Sequence, residues 1–176
     1  KFSPYTLKRY RRDQSVKLPI WVKGYVQLQV RVYTLNMSAL HDRYTQIPLN
    51  LDLSGMRANA YREVALSGNP LLFQQRILTL PELSAAGSYV IDIQAGEAKT
   101  RAIIHKGTLT PYLVDSASGL SLLVIDELGR HVTDAQISLQ KRIYTADKRG
   151  RYRLPYSINQ HEHLIKIIQG DLCVKR

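Results

Sequence analysis

The chain has 176 residues, 44% of them apolar, and a formal charge of +11. That apolar share excludes wholesale disorder, and the length allows one or two domains if a small sandwich takes roughly 80–100 residues. The longest apolar runs, such as 121–125 and 165–168, fall far short of the ~18–20 residues that cross a bilayer as a helix.

The charge is concentrated in two places. Residues 1–23 hold seven Lys/Arg against Asp13, and residues 141–153 hold six against Asp147, while the remaining basic and acidic residues balance. Two local patches imply two local contacts, with solvent, an acidic partner or a polyanion. The opening KFSPYTLKRYRR lacks an apolar core and a small-residue cleavage site, so it is not a signal peptide. The missing initiator Met fits a processed protein or an excised fragment.

In chain order, residues 1–19 predict a basic arm or an edge strand. From Trp21, Tyr25, Gln27, Gln29, Arg31 and Tyr33 share one parity and Val26, Leu28, Val30 and Val32 the other, which predicts one long strand. Residues 44–53 read as a second strand, pushed to an edge by Pro48. Residues 55–66 fit either a short helix or a loop with a strand. Residues 71–80 read as a strand ended by Pro81. Leu83, Gly87 and Tyr89 have the spacing of a tyrosine corner, where the chain crosses between sheets and the hydroxyl bonds upstream backbone. A turn at 95–98 leads into a strand over 99–106.

Gly107-Thr-Leu-Thr-Pro111 reads as the linker. Beyond it, strands are expected at 112–115, 120–126, 134–144, 150–155 and 163–169. Their turns are Asp126-Glu127-Leu128-Gly129 and a Tyr144-Thr-Ala-Asp147-x-x-Gly150 hairpin. The predicted fold class is all-β: two consecutive antiparallel β-sandwiches, at 20–108 and 109–176. Gly87, Tyr89, Gly129 and Gly150 are its expected structural residues.

Chemistry is sparse. No phosphate loop, dinucleotide fingerprint, nucleophile elbow or His-Glu-x-x-His is present. Asp126 and Glu127 are adjacent, so they point apart and cannot share a reacting atom. One cysteine, Cys173, excludes an intrachain disulfide and a Cys-rich zinc site; alternation in Asp171-Leu-Cys173-Val174 makes it a buried strand residue. His161 and His163 could share one strand face, but a two-His half-site needs a third ligand from His105 or His131, and a polar hairpin turn is the simpler account of them. No enzyme activity, cofactor or metal is therefore expected. Lys141, Arg142, Lys148, Arg149, Arg151 and Arg153 form a candidate anion or partner contact. The plain alternative is a solvated edge whose charges discourage strand pairing. Alternation sends Tyr152 inward, which weakens a nucleic-acid reading.

Several of these segments together resemble the amino-terminal macroglobulin-type domains of bacterial alpha-2-macroglobulin-like proteins. They are Leu80-Pro81-x-Leu83-x-x-x-Gly87-x-Tyr89-x-Ile91-x-Ile93, Arg101-Ala-Ile-Ile-His-Lys-Gly107, Val124-Ile-Asp-Glu-x-Gly129, Asp134-Ala135-x-Ile137-x-Leu139, Tyr144-x-Ala-Asp147-x-x-Gly150 and Leu154-Pro-Tyr-Ser157. They cover about 80–160, and fibronectin-like and carboxypeptidase-regulatory-like modules share much of the same turn grammar. The resemblance implies a segment of a large secreted or periplasmic protein that entraps proteases through a bait segment and, often, a Cys-Gly-Glu-Gln thioester. Cys173 is followed by Val-Lys-Arg, so no thioester residue carries over. Partners would be other domains of the longer chain, or a protein partner such as a protease, with no membrane span and no nucleic acid expected. The alternatives are an adhesion or carbohydrate-binding sandwich, for which the Tyr25/Tyr33 face is the candidate aromatic row, and a polyanion or nucleic-acid binder resting on charge.

Overall fold

The computed structural model describes residues 6–44, 48, 50–116, 119–155 and 165–175. Its strands are β1 (Thr6–Tyr10), β2 (Lys17–Val22), β3 (Gln27–Thr34), β4 (Ala60–Ala65), β5 (Gln74–Thr79), β6 (Gly87–Ala95), β7 (Ala98–Lys106), β8 (Leu109–Ser116), β9 (Gly119–Asp126), β10 (Gln136–Leu139), β11 (Arg142–Thr145), β12 (Tyr152–Leu154), β13 (Ile165–Gln169) and β14 (Leu172–Lys175), with one helix, α1 (Met37–Arg43). A five-stranded sheet ordered β1-β7-β6-β3-β4 faces the two-stranded β2-β5. A four-stranded sheet β11-β10-β13-β14 and a three-stranded sheet β12-β9-β8 follow. The fold is all-β, with two β-sandwiches in succession.

Period-two alternation builds the first core. Val16, Leu18, Ile20 and Val22 point inward from β2 and its approach, against Leu28, Val30 and Val32 of β3 and Tyr89, Ile91 and Ile93 of β6. The second core gathers Leu109, Leu122, Val124, Ile137, Tyr152 and Ile167. A third cluster lies on the outer face of the five-stranded sheet, where Tyr33, Leu35, Val90 and Ile103 meet Met37, Leu51 and Cys173. Strand β6 is therefore covered on both faces.

Several sequence expectations change. The predicted long strand from Trp21 is two: β2 ends at Val22, and residues 23–26 cross to β3 in the opposite sheet. No described residue of 44–53 is in a strand. Helix instead occupies 37–43, where Asn36 Oδ1 accepts the Ala39 N–H at 3.1 Å as an N-cap, while 55–66 contributes strand β4 and no helix. Only 74–79 of the predicted 71–80 strand pairs. The predicted 134–144 strand folds back on itself at Gln140 and Lys141, both left-handed (φ 50° and 66°), as a two-residue hairpin turn requires. The Asp147–Gly150 turn does not join a hairpin, because β11 and β12 lie in different sheets. The pairing is not wholly antiparallel either: β1 runs parallel to β7, with Thr6 opposite Ala102 and Tyr10 opposite Lys106. Of the predicted linker, Gly107 and Thr108 alone separate β7 from β8, and Leu109 is fully buried.

Candidate interaction surfaces

All six basic residues of 141–153 are exposed, but the fold divides them. Lys141 and Arg142 lie at the β10–β11 turn, at the other end of β11 from the 146–151 turn, roughly 13 Å of strand away. Lys141 lies close enough to Asp42 of α1 to act on it electrostatically. Lys148, Arg149, Arg151 and Arg153 cluster around Asp147, whose Oδ1 accepts the N–H of Arg149 at 2.8 Å and of Arg151 at 3.0 Å. Arg153 Nε is 3.9 Å from its other oxygen. The backbone donors of Arg151 and Arg149 hold this carboxyl below the ordinary Asp range. Gly150 is left-handed (φ 74°), and a Cβ there would fall 2.8 Å from Thr133 Cγ2, so the turn demands glycine. The result is a fixed loop that presents four cations around one carboxylate.

The Tyr89 hydroxyl donates to Ala85 O at 3.0 Å where the chain passes from β5 to β6. Gly87 opens β6, and Gly129 closes its turn by donating to Asp126 O. A second tyrosine anchor went unread in the sequence: the fully buried Tyr152 hydroxyl lies 3.1 Å from Val132 O and 3.0 Å from Ala135 O.

A dense polar site lies at the junction between the two sandwiches. Glu127 Oε1 accepts the Arg12 N–H at 2.6 Å, and its Oε2 accepts the Thr108 N–H at 3.1 Å. Arg12 Nη2 donates to Gln169 Oε1 at 3.3 Å. Asp126, 3% exposed, accepts the N–H groups of Leu128 and Arg130 and the Arg130 guanidinium. Burial opposes ionisation of Asp126 and Glu127, yet their hydrogen bonds outweigh it, and both carboxyls sit below their ordinary range. Lys106 is buried and donates to Leu83 O at 2.6 Å. Left-handed Gly107 (φ 84°) packs so closely that a Cβ would meet Ala86 Cβ at 3.1 Å and Leu172 Cδ2 at 3.4 Å. The sequence marked Asp126-Glu127-x-Gly129 only as a turn; a partner 115 residues away left no local signal.

At the pole of the first sandwich remote from this junction, Leu71 (73% exposed), Leu72, Phe73 and Val26 (65%) project outward. Phe73 stacks on Trp21, centroids 5.0 Å apart. The loop bearing them is ordered by Asn69, whose Oδ1 accepts the Leu71 N–H at 2.9 Å, and by Gly24, which donates to Pro70 O at 2.7 Å. The expected Tyr25/Tyr33 row is not a surface feature. Tyr33 is buried in the third cluster, and Tyr25 packs half-buried against the first core.

Chemistry elsewhere is limited. His161 and His163 lie outside the described residues, and among the described residues no three His, Cys, Asp or Glu come together as a metal site. His105 Nδ1 is 2.7 Å from Ser88 Oγ, and His131 is exposed on a bridge to Ile125. Burial pushes the Cys173 thiol up to about 11, which leaves it unreactive near neutrality. A cleft of about 120 Å³ between β4 and β5 is lined largely by Ile20, Leu28, Val64 and Leu78, below the size usual for small-molecule sites. No helix among the described residues is long and apolar enough to cross a membrane.

Residues 28–107 match the family model of the AbpF first immunoglobulin-like domain. No curated protein sequence matches the chain. Among solved structures, it is similar to native alpha-2-macroglobulin from Escherichia coli spanning domains MG0-NIE-MG1, with 16% identity and a TM-score of 0.53 over 91% of this chain. A second structure of that protein, spanning NIE-MG1, is 14% identical with a TM-score of 0.51, covering 90% of this chain and 86% of that one. The chain spans 57% of the length of the longer structure. These likenesses place the chain on a macroglobulin-like fold, similar to the amino-terminal domains of bacterial alpha-2-macroglobulin and immunoglobulin-like over residues 28–107.

Proposed function

We propose that this chain is a non-catalytic structural and interaction segment of a large secreted or periplasmic protein that, like alpha-2-macroglobulin, entraps proteases. It divides near Gly107–Pro111, and its partners are the other domains of the longer polypeptide and, through them, a protease. The observation that carries this reading is the fold likeness over 91% of the chain. The interlocked junction at Glu127 gives it physical sense, because a scaffold must hold its domains in one orientation. The exposed Leu71–Phe73 pole supplies an apolar contact of the kind that marks interaction surfaces. The test is to mix the full-length protein with an endoprotease. The protease should keep its activity on a small peptide substrate and lose it on a large protein. Equal retention of both activities would contradict the proposal.

A second reading rests on the loop around Asp147. Four exposed cations on a fixed turn can bind a polyanion by charge alone, so the affinity must fall steeply with salt. Replacing Arg149, Arg151 and Arg153 by Ser should abolish salt-sensitive retention on heparin and change thermal stability little, since none of the three is buried. Unchanged retention would assign these charges to solvation.

A further inference from the structure

Helix α1 and the β13–β14 hairpin close over the outer face of the five-stranded sheet. Lys166 of β13 pairs with Asp42, and Lys175 Nζ donates to His41 O at 3.5 Å. The Cys173 backbone lies beside His41, whose Nδ1 is buried with no hydrogen-bond partner among the described residues. Across the seam, His105 sits in register between Ser88 of β6 and Arg9 of β1. Cys173, Val90 and Ile103 fill the space beside them.

The charges around this pair are unbalanced. Lys141 from the β10–β11 turn, Lys166 from β13, Lys175 from β14 and Arg9 from β1 are cations, and α1 itself adds Arg43, stacked over Tyr44. Among the described residues Asp42 is the carboxylate at the seam, and it pairs with Lys166. Asp92 and Arg101 neutralise each other at 3.0 Å, and Asp171 packs against Gly87, one residue along β6 from Ser88. A proton on His41 Nδ1 would create a buried donor without an acceptor, next to two lysines.

We propose that this seam is a proton-operated latch: protonation of His41 and His105 in mild acid releases α1 and β14 from the sheet, and the second sandwich pivots about the Glu127 junction. The direction of titration agrees. His41 is held below the ordinary His range by burial, then by Lys175 and Lys166, and His105 by burial, then by Arg9 and His41. With folded values depressed, the contribution of the pair is full above the unfolded His pKa of roughly 6.5 and is lost as pH falls from there through the folded values. Glu127 and Asp126 stay ionised across that window, so the junction holds while the latch opens.

The buried Cys173 thiol reports opening directly. Its modification rate by a dipyridyl disulfide, measured on the full chain between pH 7.5 and pH 5, should rise roughly tenfold or more on acidification, although the thiolate fraction falls. In His41→Gln/His105→Gln the rise should vanish. If that variant fails to fold, nitrogen-15 spectra of the wild type decide: the β14 and α1 amides must shift together with both imidazole titrations. A rate that declines with pH as the thiolate does, a rise retained in the double variant, or β14 amides indifferent to the imidazoles would each overturn the proposal.

Discussion

Leu18→Ala should lower the unfolding free energy by about 2–5 kcal/mol, with the loss read from the urea midpoint. Leu18 lies in the basic opening of the chain, where composition alone favours a solvated arm, yet it is 1% exposed and sits in the first core. The sheet that carries it has only two strands, β2 and β5. The buried apolar residues that it and its flanks contribute are Val16, Leu18, Ile20, Val22, Leu78 and Leu80. Few neighbours can move in to refill the space, so the cavity term adds to the lost transfer energy. The adjacent Lys17 faces solvent, and Lys17→Ser should stay within about 0.5 kcal/mol. Equal, small effects at both positions would return residues 16–18 to the solvated arm.

Tyr152→Phe should cost about 1–3 kcal/mol without any change in shape. The hydroxyl serves the carbonyls of Val132 and Ala135 in a site closed to water. Those carbonyls belong to the segment that leads from β9 into β10. Removing the donor takes a shared hydrogen bond from buried acceptors, and that loss exceeds the net worth of an ordinary exposed hydrogen bond. The half-exposed Tyr144 gives the control, and Tyr144→Phe should be nearly silent. If both variants unfold at the wild-type urea midpoint, the hydroxyl does not brace the second sandwich.

What the sequence disclosed follows the range of the interactions involved. Alternation along β3, β6 and β9 is written residue by residue, and so is the Leu83–Gly87–Tyr89 spacing, whose hydrogen bond closes within four residues. The inward course of Tyr152 was legible for the same reason, but its partners, 17 and 20 residues upstream, were not. Helix α1 has only seven residues and two apolar anchors in the third cluster, Met37 and Leu40, too few for a 3.6-residue period to show. The β10–β11 turn escaped because Gln140 and Lys141 take left-handed conformations without the Gly, Asn or Asp that normally announces them. The six basic residues of 141–153 looked like one patch because they are close in sequence, and β11 places them at two ends of an edge strand. At the junction, Arg12, Thr108, Glu127 and Gln169 come from four separate parts of the chain. Only the folded arrangement reveals that site.

On this reading the two sandwiches form one scaffold, fixed at Glu127 and closed at the α1–β14 seam. Nitrogen-15 relaxation at neutral pH tests it directly, because a chain of 20.1 kDa is small enough for every amide to report its own tumbling. Residues of β3, β6 and β7 and residues of β9, β10 and β13 should fit a single rotational diffusion tensor. Glu127→Ala, which removes the acceptor for both Arg12 and Thr108, should loosen that coupling while each core keeps its own spectrum. Two independent correlation times in the wild type, or a variant indistinguishable from it, would contradict the claim.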